Sequence, residues 1–322
     1  VTAPAEALAK SWCCALDGAG NTVRGAPAAD AAFVWCHIDG RDEEQRRWLE
    51  TDAGLSAPVV VALTAVETRP RCEPIEQGAL INLRGLGDTP EDDPDPLVSI
   101  RLWAEQGRVI SVSYRTLAAL APVHARMDSG AIRDPGDLVS SLAVEITHAL
   151  DPEVVALGDT IDECEASLDA DQAWLNRRAI GKARSLAISY RRFVVPQRQA
   201  LERMAQLDAG WLEDDDRLHL REAADRFARM AEELESVRER SALLHEQLSD
   251  LRSELIETRS LLLSIVALVF LPLTFLTGLF GMNVGGIPFA NDPHGFEWLV
   301  LICLGLTALI SAYFIRAHWL RK

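Results

Sequence analysis

The sequence predicts an α+β membrane protein: an α/β domain on the cytoplasmic side, a long helical stalk, and two transmembrane helices near the C-terminal end. Three observations carry this prediction. A run of 20 residues without a charge, 261–280, is followed by a second of 20, 296–315, whose only charge is Glu297 at its edge. Upstream, residues 211–271 contain neither Gly nor Pro, as a very long helix requires. Short runs rich in branched and aromatic residues crowd the first third of the chain.

That first third reads as an α/β domain with a mixed sheet. FVWCHID (33–39), ALINL (79–83), LVSIRLW (97–103) and RVISVSY (108–114) have the composition of half-buried strands. Gln106 and Gly107 between the last two predict a tight hairpin. RDEEQRRWLE (41–50) and SAPVVVALTAV (56–66) read as helices, the second with Ser56 as N-cap and Pro58 tolerated in the first turn. GDTPEDDPDP (87–96) is an acidic, proline-rich loop.

From about Asp134 the pattern turns helical, with Pro152 as a predicted kink. A second helical stretch covers about 172–207, and Asp214, Asp215 and Asp216 favour the start of a third. Along that third helix Leu244, Leu248, Leu251, Leu255 and Leu262 alternate at three and four residues, with Thr258 in the missing slot. Such a stripe packs lengthwise on other helices. Nearly opposite lie Glu246, Asp250, Ser253, Glu257, Ser260 and Ser264. The bland account of that acidic face is solvation alone.

Formal net charge is −16, which argues against nucleic acid as a partner and favours accumulation of cations at the surface. Six cysteines are scattered without C-x-x-C spacing, and reduced thiols are expected. Residues 1–18 show no basic segment followed by an apolar one, so no cleaved signal peptide is expected and the soluble part is placed in the cytoplasm.

Each uncharged run is long enough to cross about 30 Å of hydrocarbon. Arg252 and Arg259 precede the first span, Arg316, Arg321 and Lys322 follow the second, and 284–296 has no Lys or Arg. The positive-inside rule puts both termini in the cytoplasm and the short loop outside. Two helices cannot enclose a hydrated path, so conduction requires several copies around one axis. The acidic face continues into the first span through Ser260, Ser264 (with Leu263 beside it), Ala267, Leu271, Thr274, Gly278 and Gly281. Leu271 suits an apolar constriction that gates by dewetting. Thr274 serves equally well as a pore hydroxyl or as a donor to its own i−4 carbonyl. Pro272 frees a carbonyl in mid-span, which favours packing against neighbours over lipid.

The stretch FLPLTFLTGLFGMNVGGIP (270–288), a short loop, and a second span ending FIRAHWLRK resemble the CorA superfamily of divalent-cation transporters. TFLTGL, GGIP and HWL are most similar to its ZntB zinc-transporter branch, supported by Glu67-Thr68-Arg69-Pro70-Arg71, NLRG (82–85) and SIRLW (99–103). The resemblance implies a homopentamer in a bacterial inner membrane. Its parts are a cytoplasmic α/β domain (1–133), long helices forming funnel and stalk (134–260), a pore helix (261–283), an extracytoplasmic loop (284–295), a second transmembrane helix (296–316) and a tail (317–322). By position it makes Gly281, Met282 and Asn283 the outer pore mouth, with Asn283 the selectivity ring, and Leu271, Thr274 and Gly278 the lining below. Two departures from the family pattern bear on the ion. Met282 stands where ZntB-like chains often carry valine, and methionine there is typical of magnesium-transporting members; Glu257 replaces an inner-mouth asparagine when the spans are aligned on Pro272.

The first span has no His or Cys, so soft ligands that would strip and hold Zn²⁺ are absent. Asn283 carboxamides suit contact through the hydration water of a divalent cation, for Zn²⁺ and Mg²⁺ alike. No covalent cofactor and no enzymatic activity are expected: no catalytic dyad, P-loop or nucleophile elbow is present. The resemblance favours Zn²⁺ as cargo, with a Mg²⁺/Co²⁺ channel as one alternative and a membrane-anchored coiled-coil scaffold or sensor as another. Glu246, Asp250 and Glu257 are the expected acidic vestibule. Lesser candidates are Cys36-His37-x-Asp39 as a metal site and His294 with Asp292 in the outer loop, the latter read as turn residues beside Pro293.

Overall fold

The structure is a computed structural model, and it describes residues 13–16, 22–24, 31–65, 69–88, 96–168, 173–282, 285–288 and 292–319. The chain divides into two compact units, Val1–His245 and Glu246–Lys322.

The first unit is built on a mixed sheet. Strands β1 (Cys13–Leu16), β2 (Thr22–Arg24), β3 (Phe33–Asp39), β4 (Arg71–Ile75), β5 (Gly78–Leu86), β6 (Leu97–Glu105) and β7 (Arg108–Ser113) lie in the order β2-β1-β3-β7-β6-β5-β4. Only β3 and β7 pair in parallel; the other neighbours are antiparallel. The β6–β7 hairpin closes on Gln106 and Gly107, and Gly107 takes φ +74°, a conformation that favours glycine. The four strands read from sequence are β3, β5, β6 and β7. Three more, β1, β2 and β4, are added at the two edges; β4 carries Pro74, which an edge strand tolerates.

Helices α1 (Glu43–Thr51) and α2 (Ala57–Thr64) cover one face of the sheet, burying Trp48, Leu49, Val59 and Leu63 against Cys36, Ile38, Leu80, Trp103, Ile110 and Val112. Asp42 caps α1 by accepting the N–H groups of Glu44 and Gln45 at 2.9 and 3.1 Å. Strand alternation sends Trp35 and His37 to the other face. There Trp35 stacks on His124 of α3 (Leu120–Asp128) with ring centroids 4.4 Å apart, and its indole N–H donates to Ser111 Oγ at 2.9 Å. Helix α4 (Pro135–Ala166) packs on β5, and α5 (Ala173–Met204) lies against β4 and β5. Helix α4 runs through Pro152, and α5 through Pro196.

Two expectations change here. Cys13 and Cys36 sit opposite each other on the antiparallel β1–β3 pair, Cα atoms 4.2 Å apart, and are joined in a disulfide rather than held as reduced thiols. Cys14, Cys72 and Cys164 are buried free thiols, and burial pushes the Cys72 thiol up to about 12. The Cys36-His37-x-Asp39 metal candidate also dissolves. Cys36 is in the disulfide, and the His37 ring nitrogens face Ser111 Oγ at 2.8 Å and Ser113 Oγ at 3.2 Å.

Helix α6 (Asp214–Phe280) begins in the first unit, where Leu220, Phe227, Leu234, Val237 and Leu244 are buried. Of the three aspartates at its start, Asp216 is buried: it accepts the Glu213 N–H at 2.9 Å and the Ser140 hydroxyl at 3.2 Å. Glu235 of α6 pairs with Arg191 of α5 at 2.8 Å, and Arg240 pairs with Asp162 and Glu165 of α4.

In the second unit, α6 continues to Phe280 and α7 covers Gly295–Trp319. Among the described residues none beyond Leu248 is buried. Both helices are long and apolar enough to cross a membrane. Asp292 Oδ1 accepts the His294 N–H at 2.9 Å, and His294 Nδ1 lies 3.1 Å from Glu297 Oε2. These contacts make Asp292 and His294 part of the turn into α7.

Candidate cation path

All the expected lining residues lie on the second unit's part of α6. At 100° per residue, Glu246, Asp250, Glu257, Ser260, Ser264, Ala267, Leu271, Thr274 and Gly278 fall on one face of it, and Gly281 follows just past its end. Each of them is exposed within the single chain, as is the adjoining Leu263. Leu263 and Leu271 show 68% and 69% of their surface, so this face is left for water, lipid or further copies to cover.

Two hydroxyls on the strip are satisfied by their own helix. Ser264 donates to the Ser260 carbonyl at 2.8 Å, and Thr274 to the Phe270 carbonyl at 2.8 Å. A hydroxyl that donates to its own helix keeps its lone pairs for a passing hydrated cation. Among the described residues no ion pair engages Glu246, Asp250 or Glu257, so their negative potential is not neutralised locally. The helix ends at Phe280, and the Gly281 N–H still donates to the Thr277 carbonyl at 2.9 Å. Gly281 and the 48%-exposed Met282 thus follow directly on the last helical turn; Asn283 lies outside the described residues. No cluster of three or more His, Cys, Asp or Glu suited to holding a metal occurs among the described residues.

The matched motifs of the first unit come together in space. NLRG lies on β5 and SIRLW on β6, with Asn82 opposite Arg101 and Arg84 opposite Ser99, while Arg71 of β4 sits opposite Asn82. Arg101 is 2% exposed, 5.1 Å from the Tyr114 ring centroid, and Arg84 lies 3.8 Å over the Phe193 ring. These residues build the sheet. Glu67 and Thr68 lie outside the described residues.

Residues 30–316 match the family model described as a CorA-like Mg²⁺ transporter protein. The chain belongs to the CorA-like family. It is a membrane transporter and not an enzyme. It is 34% identical over 293 residues to the divalent cation transporter CmaX of Pseudomonas aeruginosa, covering 89% of this chain and 87% of that protein. It is 31% identical over 287 residues to the zinc transport protein ZntB of Pectobacterium atrosepticum, covering 89% and 88%. The solved structure of full-length CmaX superposes with a TM-score of 0.77 at 31% identity, covering 96% of this chain and 97% of that one. The CorA-type architecture follows: a soluble domain with a mixed sheet, one very long helix, and a short apolar helix after it.

Proposed function

We propose that this CorA-type protein is a homopentameric inner-membrane transporter that passes hydrated divalent cations, preferentially Zn²⁺, along an axis lined by the first span. The observation that carries the reading is the single strip on α6, exposed throughout the chain. Its acidic end (Glu246, Asp250, Glu257) leads through Ser260, Ser264, Ala267, Leu271, Thr274 and Gly278 to Gly281 and Met282, which Asn283 follows in the sequence. Five copies convert each position into a ring. Rings of Glu257, Asp250 and Glu246 concentrate cations in the inner vestibule. Leu271 forms an apolar constriction, and Asn283 carboxamides bond the ion's hydration water, holding it weakly enough for release. With both termini cytoplasmic, the short loop without Lys or Arg lies outside.

Similarity to zinc transport proteins supports Zn²⁺ as the cargo. A Mg²⁺/Co²⁺ channel is the second reading, favoured by Met282 and by the absence of His and Cys from the first span. Flux into proteoliposomes, Zn²⁺ against Mg²⁺ with and without a pH gradient, tests both. Faster Zn²⁺ entry supports the proposal, a Mg²⁺ preference without pH dependence supports the channel, and no flux of any cation contradicts both.

A further inference from the structure

Helices α4 and α5 have equal length and opposite charge. Over its 32 residues α4 carries eight Asp and Glu and no Lys or Arg. Over its own 32 residues α5 carries eight Lys and Arg and a single acid, Glu202. The two helices pack on each other, yet among the described residues no ion pair joins them. Both reach α6 instead: Asp162 and Glu165 of α4 pair with Arg240, and Arg191 of α5 pairs with Glu235. These contacts lie on different sides of α6. At 100° per residue, Glu235 points about 160° away from Glu233, which lies against α4.

On the α4 side of α6 lies a groove of about 330 Å³. Val154 and Met230 are its buried apolar residues, and Val155 is 52% exposed beside them. Its exposed acids are Asp151, Asp159, Asp162 and Glu233, set against one cation, Arg229. Of these acids, among the described residues, only Asp162 is ion-paired within the unit. On the α5 side, next to Arg191, a stripe recurs every three or four residues: Trp174, Arg177, Gly181, Arg184, Ile188 and Arg192, all exposed. Trp174 and Ile188 show 71% and 49% of their surface, and a Cβ at Gly181 would meet nothing within 4 Å. Arg177, Arg184 and Arg192 form no ion pair among the described residues. The groove and the stripe are complementary. Arginine stems lie well along apolar side chains while their heads meet carboxylates. Because the two surfaces flank one helix on different sides, each copy offers one to each of two neighbours. A heterologous contact of this kind builds a ring.

We propose that the basic stripe of α5 docks in the acidic α4–α6 groove of a neighbouring copy, with arginine stems over Val155 and Met230 and guanidinium groups on Asp151, Asp159 and Glu233. This contact presupposes the oligomer proposed above and gives its soluble units a joining surface of their own.

The test uses the full-length chain in membranes, with two differently tagged copies co-produced in a Cys303→Ser background. One copy carries Val155→Cys and the other Ile188→Cys, and a short bismaleimide is expected to join the two tags. The control replaces Val155→Cys with Val61→Cys of α2, which is 68% exposed, and should give little product. Arg177→Glu/Arg184→Glu on the Ile188→Cys copy should lower the yield roughly tenfold. Asp151→Lys/Asp159→Lys on the Val155→Cys copy should then restore it. High salt should weaken the parent pair. A 155–188 product no more abundant than the 61–188 control overturns the docking, as does a yield that charge reversal leaves unchanged. Oligomer mass measured on the same preparations separates this contact from the pentamer. Pentamers without the 155–188 product remove the docking alone, the product in an oligomer of another size removes the pentamer alone, and monomers overturn both.

Discussion

Gln197 of α5 completes the outer edge of β5 by bonding both ways to the backbone of Arg84. The Arg84 N–H donates to Gln197 Oε1 at 2.6 Å, and Gln197 Nε2 donates to the Arg84 carbonyl at 2.8 Å. Strand β4 pairs with β5 only as far as Arg71 opposite Asn82, so the amide stands in for the ladder where β4 has ended. Gln197 is 2% exposed. Gln197→Ala leaves a donor and an acceptor unsatisfied and should destabilise the first unit by about 2–4 kcal/mol in denaturant unfolding. Gln197→Glu, which accepts but cannot donate, should fall between the two.

The buried Asp216 and the half-buried His37 of the first unit respond to pH with opposite sign. Burial raises the Asp216 carboxyl from 3.8 to about 6, against the Glu213 N–H, which pulls it down. The folded chain therefore holds more protons than the unfolded one between those values, and this contribution to stability declines as pH rises through about 4 to 6. Burial, with His124 nearby, lowers His37 from 6.5 to about 4, so its contribution falls as pH drops through that window. Asp216→Asn should leave stability rising with pH between 4 and 6.5, and His37→Asn should leave it falling, each by on the order of 1–3 kcal/mol. Melting temperatures across that range check both slopes.

Gly136 lets the start of α4 approach Asp216. A Cβ at Gly136 would lie 2.1 Å from Asp216 Oδ2 and 2.8 Å from the Trp211 carbonyl. Gly136→Ala should therefore lower stability by about 1–3 kcal/mol and abolish most of the Asp216 pH response, read from the same melts.

What the sequence made legible follows from how local each feature is. Strands β3, β5, β6 and β7 are long runs of branched residues, and α6 has no breaker between Trp211 and Pro272. Strands β1 and β2 have only 4 and 3 residues, and β4 holds Pro74, which a strand tolerates only where tertiary pairing leaves it at an edge. Cys13 and Cys36 pair across 23 residues, and Gln197 meets Arg84 across 113; no local pattern announces either. The leucine stripe was legible, but only its upper members are covered: Leu244 and Leu248 are buried, whereas Leu255 and Leu262 are 38% and 62% exposed. The strip on α6 was legible because a helix sorts its residues by angle.

The acidic end of the strip should act through charge. Glu257→Gln with Asp250→Asn should lower flux several-fold at low ionic strength and little at high salt, since exposed charges are screened beyond about 10 Å at 0.1 M. Equal flux in variant and parent at low salt would return these carboxylates to ordinary solvation.

The most direct measurement of the whole account is Zn²⁺ entry into proteoliposomes by the parent chain and by Asn283→Ala, side by side, with the oligomer mass of each determined in the same detergent. The account predicts pentamers in both, Zn²⁺ entry by the parent, and loss of selective entry in the variant. Parental Zn²⁺ flux in Asn283→Ala pentamers would contradict it.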